Sequence, residues 1–142
     1  MMEKRIRILT LFLLLLMSMG AQADIVVVVN KQNNTPAMSH RELVDLFMGR
    51  NLYFADGSLA MRLDQAPDSV VRERFFRALV NKSVAEVNAY WARLLFTGRA
   101  SPPNVVGDSQ AVLKTVRSDV NAIGYIDRSD LDDTVRVVGS VE

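Results

Sequence analysis

Apolar residues along the chain fall into short unbroken runs and into longer stretches at helical spacing, separated by polar turns. Residues 25–29 are one isoleucine and four valines, a run typical of a strand that is buried on both faces of a mostly parallel sheet. Further strands are predicted at 60–64, 105–106, 122–126 and 135–138. Helices are predicted to follow Ser39, to cover about 68–80 and 83–97, and to follow Ser109. This order predicts one α/β domain, a three-layer sandwich with a mostly parallel sheet.

Two of the predicted helices begin with a recognisable capping pattern. Ser39 stands three residues before Glu42, and Ser83 stands three residues before Glu86. In a capping box the serine hydroxyl accepts from the third helical amide while the glutamate accepts from the serine amide. These two patterns therefore predict helices that begin directly after Ser39 and Ser83.

The first 23 residues have the pattern of an export signal that is cleaved from the folded domain. Three basic residues precede the apolar segment 8–17, and Ala21-Gln22-Ala23 places small residues at the positions that a signal peptidase reads. The other interpretation is an uncleaved anchor, but this segment is shorter than the ~20 residues that cross a bilayer. The domain is therefore predicted to comprise residues 24–142 and to lie outside the cytoplasm.

Composition limits the classes of partner and chemistry. The predicted signal contains three of the 17 basic and one of the 16 acidic residues, so residues 24–142 carry a net charge of −1, and nucleic acid is not a predicted partner. The chain has no cysteine, which excludes disulfides, thiol chemistry and cysteine-ligated metals. No metal-ligand spacing, glycine-rich phosphate loop or nucleophile elbow is present, so no cofactor is predicted.

Several short motifs occur in a fixed order along the predicted domain. They are Val29-Asn30-Lys31, Leu43-Val44-Asp45-Leu46-Phe47-Met48-Gly49, Arg62-Leu63-Asp64, Phe75-Phe76, Phe96-Thr97-Gly98 and Asn121-Ala122-Ile123-Gly124-Tyr125. In this order they resemble the phosphate-binding component of bacterial ABC importers, one branch of the type 2 periplasmic binding proteins. The resemblance implies a periplasmic protein with the fold of one lobe of that family. A complete member has two lobes that close over the ligand, and this chain is long enough for one.

The predicted binding site lies at the carboxyl edge of the sheet, where open α/β sheets place their ligands. The resemblance implies that Arg62 contacts the ligand and that Asp64 holds the arginine in place. Further candidate anion contacts are Gln65, Ser69 and Arg72. Because Arg62 and Asp64 are two residues apart on one face of a strand, they could instead form a structural ion pair that fixes the turn.

The start of the second helix departs from the family pattern. Phosphate-binding members have Ser-Gly-Thr there, whereas this chain has Ala66-Pro67-Asp68. Pro67 has no N–H to donate, and Asp68 is expected to cap the helix with its carboxylate and to repel an anion. A single open lobe with this sequence is therefore expected to hold phosphate at millimolar strength at best.

Five aromatic residues allow two interpretations. Their helical spacing is typical of core positions, although together they could also form a stacking platform for a sugar or peptide. They are Phe75, Phe76, Tyr90, Trp91 and Phe96.

The leading functional hypothesis is an exported, non-catalytic binding module with weak or altered binding of phosphate or another small solute. The alternative is a protein-interaction or regulatory module of an envelope complex or sensor that has no small ligand. Its partners would be a membrane permease, a sensor protein or a second copy of the chain. An enzyme is not predicted, because no acid–base pair or nucleophile can be assembled from the sequence.

Overall fold

The computed structural model describes Met2 and residues 24–142, so the predicted export signal and its cleavage site lie outside the described residues. The strands are β1 (Ile25–Asn30), β2 (Met61–Gln65), β3 (Asn104–Gly107), β4 (Ala122–Asp127) and β5 (Val135–Val141). The helices are α1 (His40–Phe47), α2 (Val70–Val80), α3 (Val84–Phe96) and α4 (Ser109–Ser118), with one short 3-10 helix at Arg128–Asp130. No helix in this part of the chain is long and apolar enough to cross a membrane.

The five strands form one mixed sheet in the order β3-β2-β4-β1-β5. Strand β2 is parallel to β3 and to β4, whereas β1 is antiparallel to β4 and to β5. Four strands therefore point the same way and only β1 runs against them, which confirms the prediction of a mostly parallel sheet. The valine run of β1 is buried as predicted, but it owes its burial to the helices on both faces and not to parallel neighbours.

Helices cover both faces of the sheet, so the predicted three-layer sandwich is confirmed. Val27 and Val29 point into the core formed with α1, α2 and α3. Val26 and Val28 point to the opposite face, into the core formed with α4. Alternate residues of one strand thus enter two separate cores, which is why the β-branched run has no polar member.

A close contact joins α4 to the sheet at Gly124, inside β4. A Cβ atom at this position would lie 2.6 Å from Val112 Cγ1 and 3.2 Å from Leu63 Cβ. Only glycine lets the helix pack at this distance, since interiors are packed at the density of organic crystals. The glycine therefore fixes the depth at which α4 rests on the sheet.

The helix starts agree with the sequence in two places and differ in two. Both capping boxes are present, at Ser39 with Glu42 and at Ser83 with Glu86. The last helix begins one residue earlier than expected, because the Asp108 carboxylate accepts from the Ala111 amide at 2.9 Å. Helix α2 begins at Val70 and not near Asp68, a difference that bears directly on the site.

Candidate functional site

Four of the five predicted site residues meet at the carboxyl end of β2. Asp64 and Gln65 are the last two residues of the strand, Ser69 caps α2, and Arg72 lies in its first turn. Asp64, Gln65 and Arg72 are buried. The short connection of residues 66–69 brings the strand end and the helix start into contact, so these side chains form one cluster.

The Asp64 carboxylate is the centre of this cluster. It accepts from Arg72 Nε, at 3.1 Å to Oδ2 and 3.2 Å to Oδ1, and from the Gln65 amide at 2.9 Å. The hydroxyl of Tyr125, on β4, donates to Asp64 Oδ1. Arg72 Nη2 donates in turn to Asn88 Oδ1 on α3 at 3.0 Å. A buried charge needs this number of partners, because desolvation of an isolated carboxylate costs several kcal/mol.

The side chain of Gln65 connects the strand end to three other parts of the fold. Its Nε2 donates to the Tyr125 carbonyl at 3.0 Å and to Ser109 Oγ at 3.1 Å. Its Oε1 accepts from Ser69 Oγ at 2.7 Å. Since Ser69 Oγ also accepts from the Arg72 amide at 3.1 Å, the hydroxyl proton and one lone pair of this serine are both used within the protein.

The start of α2 is capped by Ser69, so the expectation that Asp68 caps this helix is wrong. Asp68 is exposed, while the Ser69 amide donates to the Ala66 carbonyl at 2.9 Å and the Ala66 amide donates to the Gly107 carbonyl at 2.8 Å. The physical reason is that Gln65 holds the serine hydroxyl over the helix end. The amides of Ala66 and Ser69 are nevertheless engaged within the protein, by backbone carbonyls and not by the Asp68 carboxylate as expected.

Arg62 does not share the partners of the other four residues. Its Nη2 donates to the Ser101 carbonyl at 2.8 Å, and its guanidinium lies 5.8 Å from the centroid of the Trp91 ring. The ion pair considered between Arg62 and Asp64 is wrong, because Asp64 pairs with Arg72. Burial lowers the pKa of the Arg62 guanidinium, and Tyr90 raises it by a smaller amount.

Tyr125 belongs to the cluster although the sequence did not place it there. Its ring stacks on Phe75 with centroids 3.9 Å apart and planes at 6°, and its hydroxyl also accepts from the Gln65 amide at 3.1 Å. Burial raises the pKa of Tyr125 above its ordinary value, and the negative charge of Asp64 raises it further. The Gly-Tyr motif was a signal for this residue, but the sequence alone did not reveal its partner.

The rim of the cluster carries carboxylates as well as cations. Arg74 Nη1 lies 2.8 Å from Asp127 Oδ2 at the end of β4. The pKa of Asp127 is held below its usual range, first by the Ser129 amide and also by Arg74. Asp68 is exposed on the neighbouring loop, so this edge carries an exposed carboxylate in addition to the Arg74–Asp127 ion pair.

The aromatic residues are divided between core and surface. Phe75, Phe76 and Trp91 are buried, which agrees with the core interpretation. Phe96 is 93% exposed at the end of α3, so its assignment to the core is wrong. Phe96 is the last residue of α3.

Comparisons with known proteins match the fold and not the sequence. No family model and no curated protein matches the chain. Among solved structures, a candidate phosphate ABC transporter substrate-binding protein of Clostridium perfringens with bound phosphate aligns with a TM-score of 0.65 at 18% identity, over 82% of this chain and 44% of that one. An ABC-type phosphate transport receptor of Vibrio cholerae aligns with a TM-score of 0.65 at 15% identity, over 82% and 45%.

PstS from Borrelia burgdorferi aligns over 82% of this chain and 47% of its own length, with a TM-score of 0.63 at 11% identity. The chain has the fold of one lobe of a type 2 periplasmic binding protein. The resemblance to phosphate-binding proteins that the motifs indicated is therefore confirmed at the level of fold. The chain spans less than half the length of these three proteins.

Proposed function

We propose that the chain is an exported, non-catalytic binding module that takes a small anion such as phosphate weakly at the carboxyl edge of its sheet. Its fold is that of proteins described as phosphate receptors and substrate-binding proteins. A low affinity for the anion is supported by the internal hydrogen bonding of the cluster. Asp64, Gln65, Ser69 and Arg72 bind one another, so few of their donors remain for a ligand.

The magnitudes support low affinity. Micromolar binding needs about 8 kcal/mol of net free energy, whereas each charge-assisted hydrogen bond contributes roughly 1.5–3 kcal/mol. Association costs at least ~4 kcal/mol, and each donor taken from the cluster leaves a buried acceptor unpaired. Millimolar binding is the expected result for phosphate at this edge.

The test is a titration of the ¹⁵N-labelled protein with phosphate and with sulfate at constant ionic strength. We expect millimolar saturation, with the largest shifts at the amides of Gln65 and Ser69, and a weaker response in Ser69→Ala. Ser58→Ala is the matched control, because this serine lies on a distant exposed turn. A sub-micromolar phosphate affinity, or shifts confined to other regions, would overturn the proposal.

The second candidate function is a protein-interaction module in the periplasm, without a small ligand. It is favoured by the exposure of Leu95 and Phe96, which are 54% and 93% exposed on the last turn of α3, because apolar side chains grouped at one place often mark contact surfaces. Its partner would be a permease, a sensor protein or a second copy. Light scattering after size exclusion tests the last case: a dimer that Phe96→Ser converts to a monomer supports it, and a strict monomer excludes it.

A further inference from the structure

A recess of about 460 Å³ lies at the amino-terminal edge of the sheet, opposite the cluster at the carboxyl edge. It is lined by the first residues of β2 and β3 and by the turn that leads from α4 into β4. Because these three strands are parallel, their starts meet at one edge. The volume lies within the range of pockets that hold small organic molecules.

The wall of this recess contains a buried arginine with no carboxylate partner. Arg62 is 8% exposed, and it takes part in no ion pair among residues 24–142. Its Nη2 donates to the Ser101 carbonyl, while Nη1 has no acceptor in the same part of the chain. The face of Trp91 offsets only part of the cost of burying this charge. A negatively charged hydrogen-bond acceptor is therefore favoured next to Arg62.

The remaining walls select the kind of anion. Leu52, Leu59, Pro102 and Pro103 give the recess an apolar surface, on which a hydrocarbon body can be buried. Asp119 also lines the recess, with Oδ1 accepting from the Asn121 amide at 2.8 Å. Its negative charge repels every anion, and this repulsion grows with the charge of the ligand. A monoanion is therefore preferred over a phosphate dianion.

We infer that this recess binds a small monocarboxylate with an apolar body, with Arg62 as the residue that holds the carboxylate. This site is separate from the proposed anion site at the carboxyl edge. The simpler account of Arg62 is that it only anchors the loop at Ser101 and stacks on Trp91. That structural role would give no response to a ligand, so binding experiments separate the two accounts.

The test is isothermal titration with hexanoate, with its neutral isostere hexanamide, and with inorganic phosphate. We expect hexanoate to bind, and hexanamide to bind about tenfold more weakly, because one charge-assisted hydrogen bond is lost. Labelled protein should show hexanoate shifts at the Asn104 and Asn121 amides and none at Gln65. Equal binding of hexanoate and hexanamide, or no binding of hexanoate, would refute the inference.

Four variants sharpen the test. Arg62→Gln should weaken hexanoate binding about tenfold, whereas Asp119→Asn, which keeps the acceptor for Asn121, should strengthen it. Leu59→Asp should weaken it as well, and since Leu59 is 58% exposed this variant keeps the test available even if Arg62→Gln does not fold. Arg93→Gln removes an exposed charge of α3 and is the control that should change nothing. An unchanged affinity in a folded Arg62→Gln variant contradicts the assignment, and so does an unchanged affinity in Leu59→Asp.

Discussion

Replacing Arg72 with methionine is expected to lower the free energy of unfolding by ~3–5 kcal/mol, because the change leaves a buried carboxylate without its counterion. The side chains of Arg72 and Asp64 are 6% and 4% exposed and meet at 3.1 Å, so the carboxylate is shielded from bulk water and depends on its partners within the protein. Methionine retains the unbranched apolar stem of arginine. The loss of stability therefore reports mainly the missing charge and its hydrogen bonds, because the substitution leaves only a small cavity.

The contacts that remain place the expected loss toward the lower end of this range. Asp64 would keep the hydrogen bonds from the Gln65 amide and the Tyr125 hydroxyl. Adding Asp64→Asn to Arg72→Met removes both charges, so the double variant should lose less than the sum of the two single variants. The coupling between the sites is expected to be ~0.5–3 kcal/mol, as for residues in one network.

The measurement is urea unfolding followed by the fluorescence of Trp91, the only tryptophan, with linear extrapolation to zero denaturant. Arg117→Met is the matched control. It breaks the Arg117–Asp132 pair, which has a similar distance of 2.9 Å but side chains 40% and 41% exposed, and should cost ~0–1 kcal/mol. If Arg72→Met cost no more than this control, the reasoning about the buried pair would be refuted.

Three further predictions test other features of the fold. Because the pKa of Tyr125 is raised in the folded protein, the unfolded chain loses this proton first. Stability is therefore complete below pH ~10 and falls above it by up to ~1.4 kcal/mol per pH unit, a slope that Tyr125→Phe should remove in urea melts at several pH values. Gly124→Ala should cost ~1–3 kcal/mol in the same assay, because its Cβ would meet Val112 at 2.6 Å, and Val112→Ala should recover part of this loss. Ser69→Ala should lower stability by ~1 kcal/mol in thermal melts, whereas Asp68→Ala should stay within ~0.5 kcal/mol, because the serine caps α2.

Each of these predictions has an outcome that contradicts it. Parallel pH profiles for the wild type and Tyr125→Phe above pH ~10 would mean that this hydroxyl titrates alike in both states. If Val112→Ala recovered no stability in the Gly124→Ala variant, the contact with Val112 would not be the cause of the loss. If Asp68→Ala lowered stability more than Ser69→Ala does, Asp68 and not Ser69 would be the residue that caps α2.

Features set by local sequence were predictable. The run of one isoleucine and four valines in β1 predicted a buried strand, because β-branched residues favour strands and no polar residue interrupts residues 25–29. The two capping boxes fixed the starts of α1 and α3, because both partners of each box lie within four consecutive residues. Such signals need no knowledge of the rest of the fold.

Features set by distant contacts were not predictable. Asp68 and Ser69 are adjacent and have similar capping preference, and the choice between them is made by Gln65, which bonds the serine hydroxyl. The partner of Asp64 is decided in the same way. The nearest arginine in the sequence is Arg62, but the strand-to-helix turn brings Arg72 to the carboxylate instead.

The position of β1 has a consequence for the order in which the protein acquires its structure. Ile25, the first residue of β1, pairs with Asp127 on one side and with Val141 on the other. Strand β1 therefore cannot pair along its full length with both neighbours until residue 141 has been synthesised. Pairings this remote along the chain slow the search for the native state. Until β4 and β5 are available, the run of one isoleucine and four valines in β1 is an unpaired apolar segment with a high tendency to aggregate.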